Sequence, residues 1–256
     1  MKIIDCKDID CKFLEKQFKL FDFQGYGNNS ILVYNKKLLI KKTEYIKEVN
    51  NIKKIINLLS NHNFKIFIAS HYKTYLYKNN YYIFMKRYQD SIEYLKYINV
   101  NEFKNLIQQC LLFCLFLNFK IKIYHNDLHL RNCLFKNINN PILIKFEDIT
   151  LEIKDKLLVV IDFNSLSYEI NQLGLNGKRM LKLKSIIFND FNFVMIYSLT
   201  KFRISSKNKV IKQKDNNLNF KNYLNILNQL NINNNLEDFI KLYKYIDNNF
   251  NQVFSF

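Results

Sequence analysis

Apolar positions along the chain change their rhythm part-way. Up to about residue 88 they fall in short runs rich in β-branched and aromatic residues, separated by turn formers. "FKLFDFQGYG", Ser30–Tyr34 and Leu38–Lys42 come first, with a Gly-containing turn and an Asn-Lys turn between them; "FKIFIAS", "HYKTYLYK" and "YYIFMKRY" follow. The first three runs predict strands, and the last three predict two or three more. One stretch, "TEYIKEVNNIKKIINLL", is different: Ile46, Val49, Ile52, Ile55, Ile56 and Leu59 recur at helical spacing, and Thr43 is placed to cap them. The first part therefore predicts an antiparallel sheet carrying one helix.

From there the period lengthens. Between Phe103 and Phe119, the residues Phe103, Leu106, Ile107, Cys110, Leu111, Cys114 and Leu117 share one wide face, which predicts a helix with a large buried stripe. "PILIKF", "ITLEI" and "LLVVID" read as short strands, the last apolar enough to be buried on both faces. Helical spacing resumes at about Lys182–Thr200, Phe220–Leu230 and Leu236–Phe250. The polar stretch "RISSKNKVIKQKDNNLN" reads as a mobile loop, and the asparagine-rich run from Asn228 as a connector.

Composition narrows the classes. A 256-residue chain that is 48% hydrophobic can bury a core as one large domain or two packed lobes. Its longest apolar run, Leu111–Leu117, is far short of the ~20 residues a membrane span needs. The first residues interleave charge with apolar side chains rather than forming a signal-peptide core, so an intracellular protein is expected. Five cysteines (Cys6, Cys11, Cys110, Cys114, Cys133) make no CxxC pair and are expected as free thiols. The net charge of +17 invites a nucleic-acid partner, but only four of the 39 basic residues are arginine and the lysines are spread out. Direct nucleic-acid binding is therefore not expected, and an acidic partner or the phosphates of ATP are preferred. The abundance of Lys, Asn and Ile follows AT-rich codons, which lowers the weight of any isolated Asn or Lys and raises that of Gly, Pro, Arg and His.

Against that background one stretch stands out: "YHNDLHLRNCL", Tyr124–Leu134. It reads H-x-D-L-H-x-x-N, with Asp127 and Asn132 five apart in a polar turn that runs into an apolar strand. A zinc site would need His125 and His129 on one helical face, and no helix signal covers them. Phosphoryl transfer makes wider demands: a carboxylate at the acceptor hydroxyl, an amide oxygen and a second aspartate for Mg2+, an early lysine for the phosphates, a glutamate to orient it and a glycine turn. Each demand has a candidate in order. "LLVVIDF" supplies Asp162, "LLIK" supplies Lys41, and Gly25 and Gly27 precede it in "GYGNNS", two of only four glycines in the chain. Lys42 competes with Lys41, which is preferred because it shares a strand face with Leu39. Glu48 and Glu44 compete as its partner.

These motifs resemble those of the protein-kinase-like superfamily, from about Phe21 to Leu199. The DLH form in place of DLK is similar to that of haspin-type kinases, of kinases from large DNA viruses, and of aminoglycoside and choline phosphotransferases. The resemblance implies an α+β, two-lobed protein-kinase-like fold in one domain. The N-lobe, about 1–88, would be a small antiparallel sheet with one main helix; the C-lobe, about 89–256, would be reduced and mostly helical. By the same resemblance Asp127 would be the catalytic base, and Asn132 and Asp162 would hold Mg2+, with Mn2+ as a substitute. Lys41 would hold the ATP phosphates with Glu48 behind it, under a cover shaped by Gly25 and Gly27. Met85 would be the gatekeeper, and Lys86, Arg87 and Tyr88 would line the adenine site. His125 would pack under the "DFN" turn, and His129 would stand where most protein kinases carry a lysine. Asp190 would tether the catalytic loop, unless it merely caps the next helix.

The expected activity is that of an ATP-dependent Ser/Thr protein kinase acting on a protein substrate, acidic or chromatin-associated, in the cytoplasm or nucleus of a cell or virus host. The alternatives are a small-molecule kinase and a pseudokinase binding module. Departures from the family pattern are clear. Ser30 replaces the third glycine of GxGxxG, Asn126 the arginine of H-R-D and Asn164 the DFG glycine. No A-P-E motif exists, and Gly174 and Gly177 are the only pivots after Asp162. The thirty residues from Asn132 to Asp162 predict an insertion at about Asn137–Lys156. An asparagine at position 126 implies activity that does not wait for phosphorylation of the activation loop.

Overall fold

Alternating apolar residues in the first part pair into a sheet, and the longer period that follows builds a helical core. A computed structural model describes residues 3–5, 22–27, 30–34, 38–77, 79–88, 91–94, 98–169, 189–205, 207–212, 217–233 and 235–254. The chain divides into two compact units, Met1–Gln89 and Asp90–Phe256. Its class is α+β, with a small, mainly antiparallel sheet first and a mostly helical remainder. Cys6, Cys11, Gly174, Gly177 and the 182–188 part of the expected helix lie outside the described residues.

The first unit contains strands β1 (Ile3–Asp5), β2 (Asp22–Gly27), β3 (Ser30–Tyr34), β4 (Leu38–Thr43), β5 (His71–Tyr77) and β6 (Asn80–Lys86). They form one sheet of six in the order β1-β5-β6-β4-β3-β2. The register runs through the candidate lysine, with Lys41 opposite Leu32 on one side and Ile83 on the other. Strand β1 was not anticipated, and it joins parallel to β5. Helix α1 (Ile46–Leu58) lays Glu48, Val49, Ile52 and Ile55 inward.

In this unit one open choice is settled and two expectations need correction. "FKIFIAS" is no strand: Asn63–Phe67 is a turn of 3-10 helix. Residues three apart eclipse in that geometry, so Phe64 and Phe67 bury together, ring centroids 5.8 Å apart. Thr43 does not cap α1. It ends β4, and its Oγ1 accepts the Tyr45 N–H at 3.2 Å, one step before the helix. Ile46 lies half-exposed, because the inward stripe begins at Glu48.

The second unit is built around α2 (Val100–Leu115), which follows the short strand β7 (Ile98–Asn99). Asn99 caps α2 by accepting the Asn101 N–H at 2.7 Å. From Leu106 to Leu117 every residue is buried, including Gln108 and Gln109, so the helix is enclosed on all sides rather than on one stripe. At its start Phe103 meets the rings of Phe202, Phe250 and Phe254 at 5.2, 6.1 and 5.6 Å. Replacing Phe103 by Ala would open a cavity there worth about 3–5 kcal/mol. The helix ends in a π-turn, Phe116–Ile121, and in Lys122, which is left-handed at φ 56°.

Strands β8 (Cys133–Asn137) and β11 (Lys156–Val160) pair antiparallel, and the hairpin of β9 (Ile142–Phe146) and β10 (Ile149–Ile153) is inserted between them in sequence. This hairpin occupies the expected insertion. Helices α3 (Asp190–Lys201), α4 (Asn217–Gln229), α5 (Leu236–Asn248) and α6 (Phe250–Phe254) complete the unit, the last of them starting at Phe250, where the expected helix ends. The stretch expected as a mobile loop instead starts with two strands, β12 (Phe202–Ile204) and β13 (Lys209–Lys212), paired antiparallel and continuing to β7. Phe202, Ile204 and Val210 supply a buried face too short to stand out among lysines. Among the described residues no helix is long and apolar enough to cross a membrane.

Candidate active site

The loop from Tyr124 to Asn132 is held from below by one carboxylate. Asp190 Oδ2 accepts the backbone N–H of His125 at 2.7 Å and Asn118 Nδ2 at 2.9 Å; its Oδ1 accepts the backbone N–H of Asn126 at 2.9 Å. Asn118 also donates to Ile123 C=O at 3.0 Å, so the π-turn that ends α2 is part of the mount. Asp190 is not the cap of α3. That role falls to Asn189, whose side chain accepts the Asn192 N–H at 2.9 Å.

Asn132 and Asp162 are brought to the same end of the β8–β11 ladder. Cys133 pairs with Val160, and the ladder extends by one bond, Ile161 N–H to Asn132 C=O at 3.0 Å. Asp162 is the next residue, so thirty residues of sequence separation vanish at the open end of the pair while the β9–β10 hairpin sits at the far end. Gln109, fully buried on α2, pins β11 in place. It donates to Lys156 C=O at 2.8 Å and accepts the Leu158 N–H at 2.8 Å. Asp162 itself adopts the left-handed region, φ 62° and ψ 68°, which costs a residue with a Cβ about 1–2 kcal/mol. Backbone strain of this kind concentrates at functional sites.

Within the loop, Asn132 Nδ2 donates to Asp127 C=O at 2.9 Å and lies 3.5 Å from Asp127 Oδ2. That leaves the amide oxygen of Asn132 as the atom that could hold a metal ion. The Asp127 side chain is 44% exposed, open to an incoming group. Burial pushes its carboxyl above the usual range; His125 opposes that shift and Asp162 adds to it.

His125 is fully buried, with its ring 5.0 Å from that of Phe163. Its Nε2 lies 3.1 Å from Ile161 C=O; a carbonyl only accepts, so the proton is on Nε2. His129 reaches Asp127 Oδ1 from 3.6 Å, and burial, then the Arg131 charge, lowers its pKa. Asn126 has φ 62° and shares its amide N–H groups among Ser165 C=O (3.2 Å), Ser167 Oγ (2.9 Å), Glu169 C=O (3.0 Å) and Tyr124 C=O (3.5 Å). A two-way backbone bridge between Tyr124 and Ser167, 2.8 and 3.0 Å, runs beside it. The segment after Asp162 is thus fastened to the loop by neutral hydrogen bonds.

In the first unit, Lys41 Nζ and Glu48 Oε1 form an ion pair at 2.5 Å with both side chains buried. Lys42, on the opposite strand face, is half-buried, and Glu44 is exposed. Met85 is buried and pairs in register with Leu39 and His71. Burial lowers the pKa of His71 to about 4, and the Lys41 charge adds to the effect. The Lys86 N–H donates to Ser70 C=O at 3.0 Å, so a base contact from Lys86 would use its carbonyl. Tyr88 OH accepts the Ser70 N–H at 2.6 Å, and Arg87 lies between them in sequence, half-buried. Gly25 stands where the β2 register slips at a bulge, a position that favours a residue without a Cβ, and Gly27 pairs with Ser30 at the hairpin end.

Among the described residues no group of three or more His, Cys, Asp and Glu side chains forms a ready metal cage. The donors at hand, the Asp162 carboxylate and the Asn132 amide oxygen, are hard oxygen ligands. They suit Mg2+, which is bound by one or two protein oxygens together with substrate phosphates. Of the acidic residues in the late helices, Asp238 accepts from Asn233 and Asn235 at a helix start, and Asp247 pairs with Lys104 and Gln108. Cys110, Cys114 and Cys133 are free and buried, and burial raises the pKa of Cys110 and Cys114 well above the usual thiol value.

Sequence reading missed Asn118 and Gln109, whose signal, a polar residue inside an apolar helical stripe, was present. It also missed Glu93, Tyr197 and Lys212, which gather around Arg131.

No family model matches the chain, and no curated protein matches it. Among solved structures it is similar to a crystal structure of a kinase domain, at a TM-score of 0.39 and 16% identity, over 58% of this chain. The match spans about half of that domain's own chain, 51%. At that TM-score the likeness bears no weight, and function is argued from the side chains.

Proposed function

We propose that the chain is an ATP-dependent phosphotransferase, a Ser/Thr protein kinase with Asp127 as the base. The single observation that carries this reading is the loop's construction: a half-exposed carboxylate with an amide side chain turned onto it, preceded by two residues, His125 and Asn126, whose backbone N–H groups are held by a buried aspartate that takes three donors. A polar turn needs no such mount, whereas positioning is most of what phosphoryl transfer asks of a protein.

In this reading Asp127 orients the acceptor hydroxyl and takes its proton as the oxygen bonds to the γ-phosphorus and the bond to the β-phosphate oxygen breaks. Lys41, held by Glu48, neutralises the phosphates of ATP. Asp162 and the Asn132 amide oxygen would hold Mg2+, whose charge offsets that of the phosphates when it is bound. His125 keeps the Asp162 turn seated through Ile161 and Phe163. Asn126 holds Ser165–Glu169 by neutral hydrogen bonds, which supports activity without a phosphorylated loop residue.

The test is ATP turnover by the full chain on a panel of proteins and small alcohols and amines, beside Asp127→Asn and Asp162→Ala. Both substitutions should abolish transfer. Transfer that survives both would sink the mechanism, transfer only to small molecules would replace the protein acceptor, and nucleotide binding without transfer would leave a binding module.

A further inference from the structure

Beside the candidate base stands a histidine whose ring no hydrogen bond from another residue tethers. Its backbone is fixed: the His129 N–H donates to Asp127 C=O and the His129 C=O accepts the Asn132 N–H, both at 2.9 Å. The ring is held differently. Nδ1 is buried with no hydrogen-bond partner on another residue, and Nε2 stands 3.6 Å from Asp127 Oδ1, too far for a hydrogen bond. A functional histidine ordinarily takes its orientation from a bond at its second ring nitrogen. Here packing has to supply it.

That packing comes from Tyr197 on α3. Its ring lies 6.0 Å from the His129 ring at a tilt of 30°, and 6.3 Å from the ring of Phe193 one turn earlier. The far end of Tyr197 is anchored, because its hydroxyl donates to Glu93 at 2.5 Å; burial, then Glu93, keeps that hydroxyl protonated. Glu93, on the 3-10 turn Ile92–Tyr94, is held in turn. Its side chain is only 11% exposed, with Arg131 Nε and Lys212 Nζ 3.4 and 3.7 Å from its oxygens. Glu93, Tyr197 and His129 therefore form a stack that ends at the base. The loop's mount on Asp190 uses none of them.

The gap at the end of the stack has a use. At 3.6 Å neither Nε2 nor Oδ1 satisfies the other, and one oxygen atom can stand within hydrogen-bond reach of both, about 2.6–3.2 Å from each. A hydroxyl fits that place. It donates its proton to the carboxylate, accepts the imidazole N–H on one lone pair and keeps the second lone pair for phosphorus.

We propose that Tyr197 and Glu93 are positioning residues that hold the His129 ring across from Asp127, so that the acceptor hydroxyl is seated between Nε2 and Oδ1. This rests on the phosphotransferase reading and supplies its acceptor side. The hydroxyl proton goes to Asp127 as the oxygen bonds to the γ-phosphorus and ADP leaves; His129 neither gains nor loses a proton. The experiment is a double-mutant cycle on the full chain, with ATP, Mg2+ and whichever of casein, histone and glycerol the wild type phosphorylates fastest, rates being taken per folded chain from circular dichroism. His129→Ala and Tyr197→Leu should each lower kcat/KM for the acceptor about 100-fold, with KM for ATP unchanged. Tyr197→Phe keeps the ring and loses only the bond to Glu93, and should lower it about 10-fold. Tyr197→Leu added to His129→Ala should cost nothing further, because Tyr197 acts through that ring.

Losses that add, with Tyr197→Leu lowering transfer as much in the His129→Ala chain as in the wild type, would show that Tyr197 only supports the fold and would overturn the proposal. A Tyr197→Phe chain as fast as the wild type would overturn it too. If Tyr197→Leu does not fold, Tyr197→Phe takes its place in the cycle, and the same comparison decides. If the folded wild type phosphorylates no acceptor, the phosphotransferase reading falls and takes this proposal with it. Transfer by the wild type with additive losses removes the proposal alone.

Discussion

Asp190→Asn separates a loop tether from a helix cap. The carboxylate takes three donors, two on Oδ2 and one on Oδ1. An asparagine keeps one acceptor oxygen and turns an NH2 toward a donor that had been satisfied. In the better of its two orientations it keeps His125 N–H and Asn118, and strands the Asn126 N–H. Losing one charge-assisted bond costs about 1.5–3 kcal/mol, and the other two weaken by roughly 1 kcal/mol each once the charge is gone. The expected loss is about 3.5–5 kcal/mol, a large share of the ~5–15 kcal/mol that holds a domain together. Urea unfolding followed by far-UV circular dichroism measures it, since the chain has no tryptophan to report. The companion Asn189→Ala removes the cap of α3 and should cost only about 1 kcal/mol. A loss below about 1 kcal/mol for Asp190→Asn, or one smaller than that of Asn189→Ala, would refute the tether.

Other substitutions test the remaining parts. Lys41→Met leaves Glu48 buried without its cation and should cost about 3–5 kcal/mol, whereas Lys41→Met/Glu48→Leu should recover most of that without recovering ATP turnover; denaturation and turnover measured together decide it. Asp127→Asn should raise stability at pH 7 while abolishing transfer. The folded state disfavours the charged carboxylate, so the gain should appear as pH rises above the unfolded pKa of ~3.9 and vanish below it, in unfolding curves taken across that range. Asn126→Gly should loosen the Ser165–Glu169 segment to proteolysis, and Asn126→Ala should cost about 1 kcal/mol more, because only the alanine meets a steric penalty at φ 62°.

Elements with a strong period were legible from sequence: the strands from Ser30 to Thr43, helix α1 and the enclosed helix α2. What failed was short or locally ambiguous. Phe64 and Phe67 suit a strand by residue type and a 3-10 turn by spacing, and burial of both rings decided for the turn. Strand β1 has three residues and a parallel partner some seventy positions away, so no local signal could reveal it. At the site, residue types and order were readable because His and Gly are scarce enough to be noticed. The choice between Lys41 and Lys42 could be argued from the alternation of strand faces. The choice between Glu48 and Glu44 could not, because it depends on where α1 begins, and Thr43 misplaced that start by leaving its hydroxyl on Tyr45.

Asparagine was the residue discounted most heavily, as a product of codon bias, and it carries much of the backbone geometry. With only four glycines in the chain, the left-handed region falls to other residues. Among the described residues seven non-glycine positions have positive φ, and four are asparagine: Asn79, Asn126, Asn208 and Asn231. Asn99, Asn189 and Asn235 cap three helices through their side chains. A short amide both tolerates the left-handed region and bonds its neighbours, so a glycine-poor, asparagine-rich chain can still turn sharply. Asn126 does both at once, taking φ 62° in the loop and fastening the segment beyond Asp162. At that position glycine could supply the turn but not the bonds, and arginine could supply bonds only from a backbone it strains. Codon bias explains why asparagine is abundant, but the fold has put it at positions where few other residues would serve.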